Sequence, residues 1–171
     1  MSSARRICVT PLAAGVGGMV SFRRKLADGL ARRGYAVIYD LDDLPYAAVL
    51  VIGGTRRLAA LRRAAKRGVR VVQRLDGMNW LHRLRLPARK RNATLRQWLR
   101  AEYGNLLLAF IRSWLAGAVV YQSRFAQAWW ERVYGPTRPP QRVIYNGVDL
   151  AEYHPAGPEA LPADRLRLLL V

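Results

Sequence analysis

Apolar residues along this chain alternate between two spacings. Short, β-branched runs at Arg6–Thr10, Tyr35–Tyr39, Ala47–Ile52, Val69–Gln73, Ala118–Gln122 and Arg142–Tyr145 read as strands. Between them the spacing becomes helical. Met19, Phe22, Leu26 and Leu30 predict a helix from Met19 to Arg33, stopped by Gly34. A basic helix follows from Arg56 to Arg67, ended by Gly68, and a longer one from Thr94 to about Ala116, bent at Gly104. A last, aromatic helix starts near Ser123 and breaks at Gly135-Pro136.

Strands that are apolar on both faces, alternating with helices across short Gly-rich connections, belong to a parallel sheet covered on each side. The pattern therefore predicts an α/β fold, a Rossmann-like doubly wound sheet. Residues 1–154 read as this domain and 155–165 (PAGPEALPADR) as a linker. Leu166–Val171 (LRLLLV) starts another strand that lacks neighbours, so the expectation is a two-domain protein of which this is the N-terminal part. The segment RLDGMNWLHRLRLPARKRNAT is a long polar and basic connection.

Composition sharpens this picture in three places. With 29 Lys and Arg against 11 Asp and Glu, the net charge of +18 on 171 residues attracts phosphates, nucleic acid or anionic lipid. No DNA- or RNA-binding motif accompanies that charge, so a nucleic-acid partner is not expected. The single cysteine, Cys8, sits in an apolar strand and reads as a core residue of a protein in a reducing cytoplasm, peripheral at most to the inner face of a membrane. No apolar run approaches the roughly 18 residues of a membrane span. The start, with Arg5 and Arg6 ahead of ICVTPLAAGVGG, has Pro11 and glycines where a signal peptide needs an unbroken apolar core.

Three stretches carry candidate chemistry. The loop holding Gly15, Gly17 and Gly18 joins the first strand to the first helix, where backbone amides and the helix dipole favour a phosphate. Read as G-x-G-x-x-V with Asp40 downstream, it approximates a dinucleotide fingerprint and leaves an NAD(P)-dependent oxidoreductase open; Val20 stands where that fingerprint wants Gly or Ala. No Walker pattern is present. The second stretch is RLDGMNW, residues 74–80, placed at the carboxyl edge of the fourth strand, where such sheets bind ligands. There Asp76 can accept hydrogen bonds from hydroxyls, or cap a turn with Gly77. The third is a basic cluster of Arg74, His82, Arg83, Arg85, Arg89, Lys90 and Arg91, with Arg96 and Arg100 beyond. It suits an anionic acceptor or an acidic membrane surface, which leaves a non-catalytic anionic-membrane-binding module open, or is a solvated face. Trp129, Trp130 and Tyr134 read as a stripe packed on the sheet, and no residues are spaced to bind a metal.

The string VVYQSRFAQAWWERVYGP followed by VIYNGVDLAEYHP resembles the end of the N-terminal domain of glycosyltransferase family 4, sugar transferases of the GT-B fold. The segment 11–37, P-x-x-x-G-V-G-G-M-x-x-F-x-x-x-L-A-x-x-L-A-x-x-G-Y-x-V, is similar to the opening of the same family, so the resemblance covers both ends of the chain. It implies retaining transfer of a hexosyl group from a nucleotide-sugar to a glycan, lipid or small-molecule acceptor, with no cofactor and no metal. It also implies that Gly15, Gly17 and Gly18 line the cleft near donor phosphates and acceptor, and that Asn146, Gly147 and Asp149 fix the turn towards the hinge. Many members place a His-Gly near the transferred sugar at the point where this chain has Asp76-Gly77, a departure that makes Asp76 the candidate catalytic contact. Because the nucleotide is held mainly by the other domain in this family, the chain by itself is expected to be inactive.

Overall fold

The computed structural model describes residues 6–12, 15, 17–80 and 94–147. Their elements are β1 (Arg6–Thr10), α1 (Gly18–Arg32), β2 (Ala36–Ile38), β3 (Ala48–Ile52), α2 (Leu58–Lys66), β4 (Arg70–Leu75), α3 (Leu95–Phe110), a π-helical turn (Ile111–Leu115), β5 (Ala118–Tyr121), α4 (Arg124–Tyr134) and β6 (Gln141–Val143). The six strands form one sheet in the order β2-β1-β3-β4-β5-β6, every neighbouring pair parallel. This is consistent with a Rossmann-like α/β fold.

Helices lie on both faces, as side-chain alternation along β4 shows. Gln73 donates from Nε2 to the carbonyl of Leu108 in α3, whereas the neighbouring Arg74 lies over the ring of Phe22 in α1. On the α2–α3 side, Cys8, Val49, Val51 and Val71 pack with Ala60, Leu61 and Ala64 of α2 and with Ile111. Further along the same side, Leu75, Val119 and Tyr121 pack with Trp130 of α4. Among the described residues α1 alone covers the opposite face. Leu50, Val72 and Val120 share that face with Arg74 through the sheet register and stay only half-buried.

The helix ends follow local chemistry. Thr94 caps α3 in a reciprocal pair: Gln97 N donates to Thr94 Oγ1 and Thr94 N donates to Gln97 Oε1. Ser123 Oγ accepts from Ala126 N at the start of α4, and Gly135, at φ 76°, closes that helix in the left-handed region.

Two expectations are corrected. The long helix departs from regular α geometry at Ile111–Leu115, where Ala116 N bonds Ile111 O five residues back, and not at Gly104. Gly104 stays inside regular α3, where a Cβ would stand 3.4 Å from the Asn79 side chain. The fourth strand also runs two residues beyond Gln73, because Arg74 and Leu75 pair with Val120 and Tyr121. Arg74 thus belongs to the sheet and not to the polar connection. Residues His82, Arg83, Arg85, Arg89, Lys90, Arg91 and Asp149, the linker 155–165 and the strand expected at 166–171 lie outside the described residues.

Candidate functional site

In an all-parallel sheet every strand delivers its following loop to the same edge. The carboxyl edge here collects the glycine loop after β1, Gly53-Gly54 after β3, Asp76-Gly77 after β4, Gln122 after β5 and Asn146-Gly147 after β6. The order reverses between β1 and β3, whose connections leave in opposite directions; such a switch point opens a crevice at the carboxyl ends.

The glycine loop borders that crevice. Gly15 and Gly17 sit at φ 101° and 151°, conformations that side-chain-bearing residues rarely adopt, and a Cβ on either would meet nothing within 4 Å among the described residues. Backbone geometry demands these glycines, and no described residue fills the space in front of them. No side chain caps α1 at Gly17. The carbonyl of Gly17 accepts from Val20 N and Ser21 N, which leaves the amides of Gly18 and Met19 ahead of them without an intrahelical acceptor. Gly18, next in line, likewise has nothing within 4 Å of a Cβ. Gly54 is the contrasting case, since a Cβ there would come within 3.3 Å of Leu108 and push against α3.

Arg74 organises the rest. Its Nη1 donates to Asp76 Oδ1 at 2.6 Å, and its Nη2 donates to Asn146 Oδ1 at 2.9 Å and to Gln122 Oε1 at 3.3 Å. The guanidinium carbon lies 3.9 Å from the centroid of the Phe22 ring, which places a cation against the face of an aromatic ring one turn into α1. Three predicted site residues, Arg74, Asp76 and Asn146, therefore form one bonded cluster beside the glycine loop. The Arg74 side chain is 5% exposed, whereas Asp76 is 40% exposed and opens to the crevice. The Asp76 carbonyl accepts from Trp130 Nε1 at 2.8 Å, so the loop is held from the helical layer as well. Trp130 itself is fully buried, while Trp129 stands edge-on to Trp80 and to Phe125.

Gln122, Phe22 and Trp130 were not singled out as site residues by the sequence. Gln122 had a usable signal, because it directly follows a strand and so reaches the same edge as Asp76. Phe22 and Trp130 carried only a helical apolar spacing, which says nothing of a polar partner.

Asp40 follows β2, and its Oδ1 accepts from Asp42 N at 3.0 Å and from Arg57 Nη1 at 2.7 Å. The backbone bond from Asp42, and then the Arg57 guanidinium, hold its carboxyl below the usual range. Arg57 also bonds Asp42, which takes a further bond from Arg63 at 3.1 Å. Asp40 is thus committed to pinning the β2–β3 connection onto α2. Cys8 is buried in the core, and burial pushes its thiol up to about 12. Among the described residues no group of three or more His, Cys, Asp or Glu is placed to hold a metal ion, and no helix is long and apolar enough to cross a membrane. Compared with known protein families, curated proteins and solved structures, the chain matches none of them.

Proposed function

We propose that this chain is the acceptor-side domain of a retaining, nucleotide-sugar-dependent glycosyltransferase of the GT-B type, similar to family 4. The observation that carries the reading is the convergence, at one sheet edge, of an uncapped helix N-terminus behind open glycines and a carboxylate fixed beside it. The free amides of α1 suit the donor's phosphates, which leave as the new glycosidic bond forms. An ionised Asp76 is an acceptor only. With Oδ1 held by Arg74, Oδ2 is the atom available to take a hydrogen bond from a sugar hydroxyl. Arg74 orients that carboxylate from below, and the wall that grips the nucleotide comes from a second domain. The protein works at the cytoplasmic side, on a glycan, lipid or small-molecule acceptor.

The nicotinamide alternative draws on the same glycine loop together with Asp40. It is the weaker reading, because Val20 stands where the fingerprint wants Gly or Ala, and Asp42 and Arg57 tie Asp40 to the β2–β3 connection.

Saturation-transfer NMR on the purified chain tests the choice, using a panel of mono- and oligosaccharides, nucleotide-sugars and NAD(P)H. Saccharide signals that weaken at least tenfold in Asp76→Asn support the transferase reading. Binding of NAD(P)H with no saccharide signal would replace it. Sustained sugar transfer by this chain alone would overturn the requirement for a second domain.

A further inference from the structure

We propose that the groove between α2 and the end of α3 seats this protein on an anionic phospholipid leaflet. The groove has a volume of about 650 Å³. Leu58 and Ala59 form one apolar wall, and Phe110, Trp114 and Leu115 form the other. Phe110 is 44% exposed and Trp114 is 76% exposed, which are high values for rings of this size. They lie four residues apart, on one stripe across the junction of α3 and the π-helical turn, and so present together.

The rim is cationic. Arg62 and Lys66 follow Leu58 at four-residue steps along α2, and Arg63 stands beside them. Arg63 is engaged by Asp42, but Arg62 and Lys66 make no ion pair among the described residues. No acidic residue among the described ones lines the groove. A protruding tryptophan and phenylalanine flanked by unpaired cations match the interfacial zone of a membrane, where rings sit at headgroup depth and cations meet phosphates.

Other occupants fit less well. A second copy would bring another +18 against the same rim. An acidic helix would find the Trp114 indole N–H as the one neutral hydrogen-bonding group among the described residues of the lining to read it. The groove lies on the α2–α3 side of the sheet, whereas Arg74, the partner of Asp76, meets Phe22 of α1 on the other side. Docking through it leaves the carboxyl-edge crevice open. The inference goes beyond the transferase reading and does not depend on it.

Sedimentation of the full chain with sucrose-loaded vesicles tests it. Vesicles of phosphatidylglycerol and phosphatidylcholine are compared with phosphatidylcholine alone, and unchanged melting temperatures verify that the variants fold. Wild type should bind the anionic vesicles only, and more weakly as salt rises. Arg62→Gln/Lys66→Gln should lose roughly thirtyfold in apparent affinity, from about fivefold per cation. Trp114→Ser should lose about tenfold, and bromolipid quenching of tryptophan fluorescence should fall sharply in Trp114→Phe. Equal binding by wild type and all variants would overturn the proposal, since the charge responsible would then lie elsewhere. So would a failure of wild type to bind, a Trp114-dependent dimer, or Trp114-dependent capture of an acidic helical peptide without vesicle binding. Sugar transfer enters none of these readouts.

Discussion

Arg74 and Asp76 stand two residues apart at the end of β4 and share a 2.6 Å ion pair, Nη1 to Oδ1. Alternation along β4 aims Arg74 at the α1 side, and its guanidinium reaches Asp76 just past the strand's end. Phe22 then closes over the guanidinium, and Asn146 and Gln122 take its second nitrogen. A buried cation is costly unless its donors are met, and here one carboxylate and two amide oxygens meet them. The cluster thereby ties α1, β4 and the loops after β5 and β6 into one unit.

Replacing Arg74 by Ala should destabilise the fold by about 2–4 kcal/mol. The lower half of that range is expected, because Asp76 is 40% exposed and regains water once its partner is gone. Asp76→Asn should cost less, about 1–2 kcal/mol, by leaving the buried guanidinium a neutral acceptor in place of an anion. In urea titrations the double variant should fall short of the sum by about 1–2 kcal/mol. Strict additivity would mean that the two groups do not cooperate.

Trp130→Phe should keep the core filled while orphaning the Asp76 carbonyl, which accepts from the indole at 2.8 Å. The expected cost is about 1–3 kcal/mol, against about 3–5 kcal/mol for Trp130→Ala, which also opens a cavity. Amide hydrogen exchange should show Gly77 and Met78 losing protection in the Phe variant while β1 and β3 keep theirs. Equal protection at residues 77–78 in both proteins would show that the indole bond does not secure this loop.

The alternation of strand and helix was plain in the sequence because each element carries its own period and its own stop. Gly34, Gly68 and Gly135 sit at φ 80°, 81° and 76° just past their helices, which is the conformation their positions predict. The length of β4 was not legible, since Arg74 reads as polar and therefore as loop. Its place in the sheet rests on partners 48 and 72 residues away, which no local pattern announces. The break in the long helix was misplaced for a related reason. Gly104 has the sequence of a break, yet packing of Asn79 beside it keeps the helix regular, and the register shift at Ile111–Leu115 brings Ile111 and Arg112 inward. Of the site residues, Asp76 could be found by its position after a strand. Its orientation by Arg74 could not.

Acid should weaken the Asp40 network in a defined direction. The folded-state carboxyl is held below its ordinary value of 3.8, so its contribution to stability is present above that value and fades as pH falls through the lower folded-state value. Thermal melts of wild type and Asp40→Asn between pH 6 and pH 2.5 should converge below about pH 4. The difference above that range should be small and should shrink with added salt, because the pair with Arg57 is exposed. A gap that grows in acid would contradict the assignment.

The Cys8 thiol should resist alkylation in the native protein. Burial in the sheet, with Asp40 adding to it, raises the thiol from 9.0 to about 12, so the thiolate is scarce at pH 8 and out of reach. Labelling by Ellman's reagent should follow global unfolding in urea and not precede it. The same shift acts on stability. It is fully present below pH 9, the ordinary thiol value, and is lost as pH rises towards 12. Burial raises Tyr46 likewise, from 10.0 to about 12, and that loss adds at the alkaline end. Rapid labelling at pH 8 without urea would place Cys8 outside the core.

Arg112 and Tyr121 provide the sharpest energetic contrast in the fold. Both are fully buried, and Arg112 Nε donates to the Tyr121 hydroxyl at 2.7 Å while Nη2 donates to the Gly135 carbonyl at 2.8 Å. Arg112 Nη1 is buried with no partner among the described residues. Burial raises the Tyr121 hydroxyl pKa, and the guanidinium opposes that rise. Tyr121→Phe would leave the buried cation only one acceptor, at an expected cost of about 1–3 kcal/mol. Arg112→Met would remove the charge and its orphan donor but strand the tyrosine hydroxyl, for a similar cost. Combining them replaces both partners with apolar groups of comparable volume, which is often close to neutral in a buried site. The double variant should therefore be more stable than Tyr121→Phe alone by at least 1 kcal/mol, with the two effects coupled rather than summed. A double variant less stable than either single one would show that Arg112 acts through its bond to Gly135, as the staple between the π-helical turn and the end of α4.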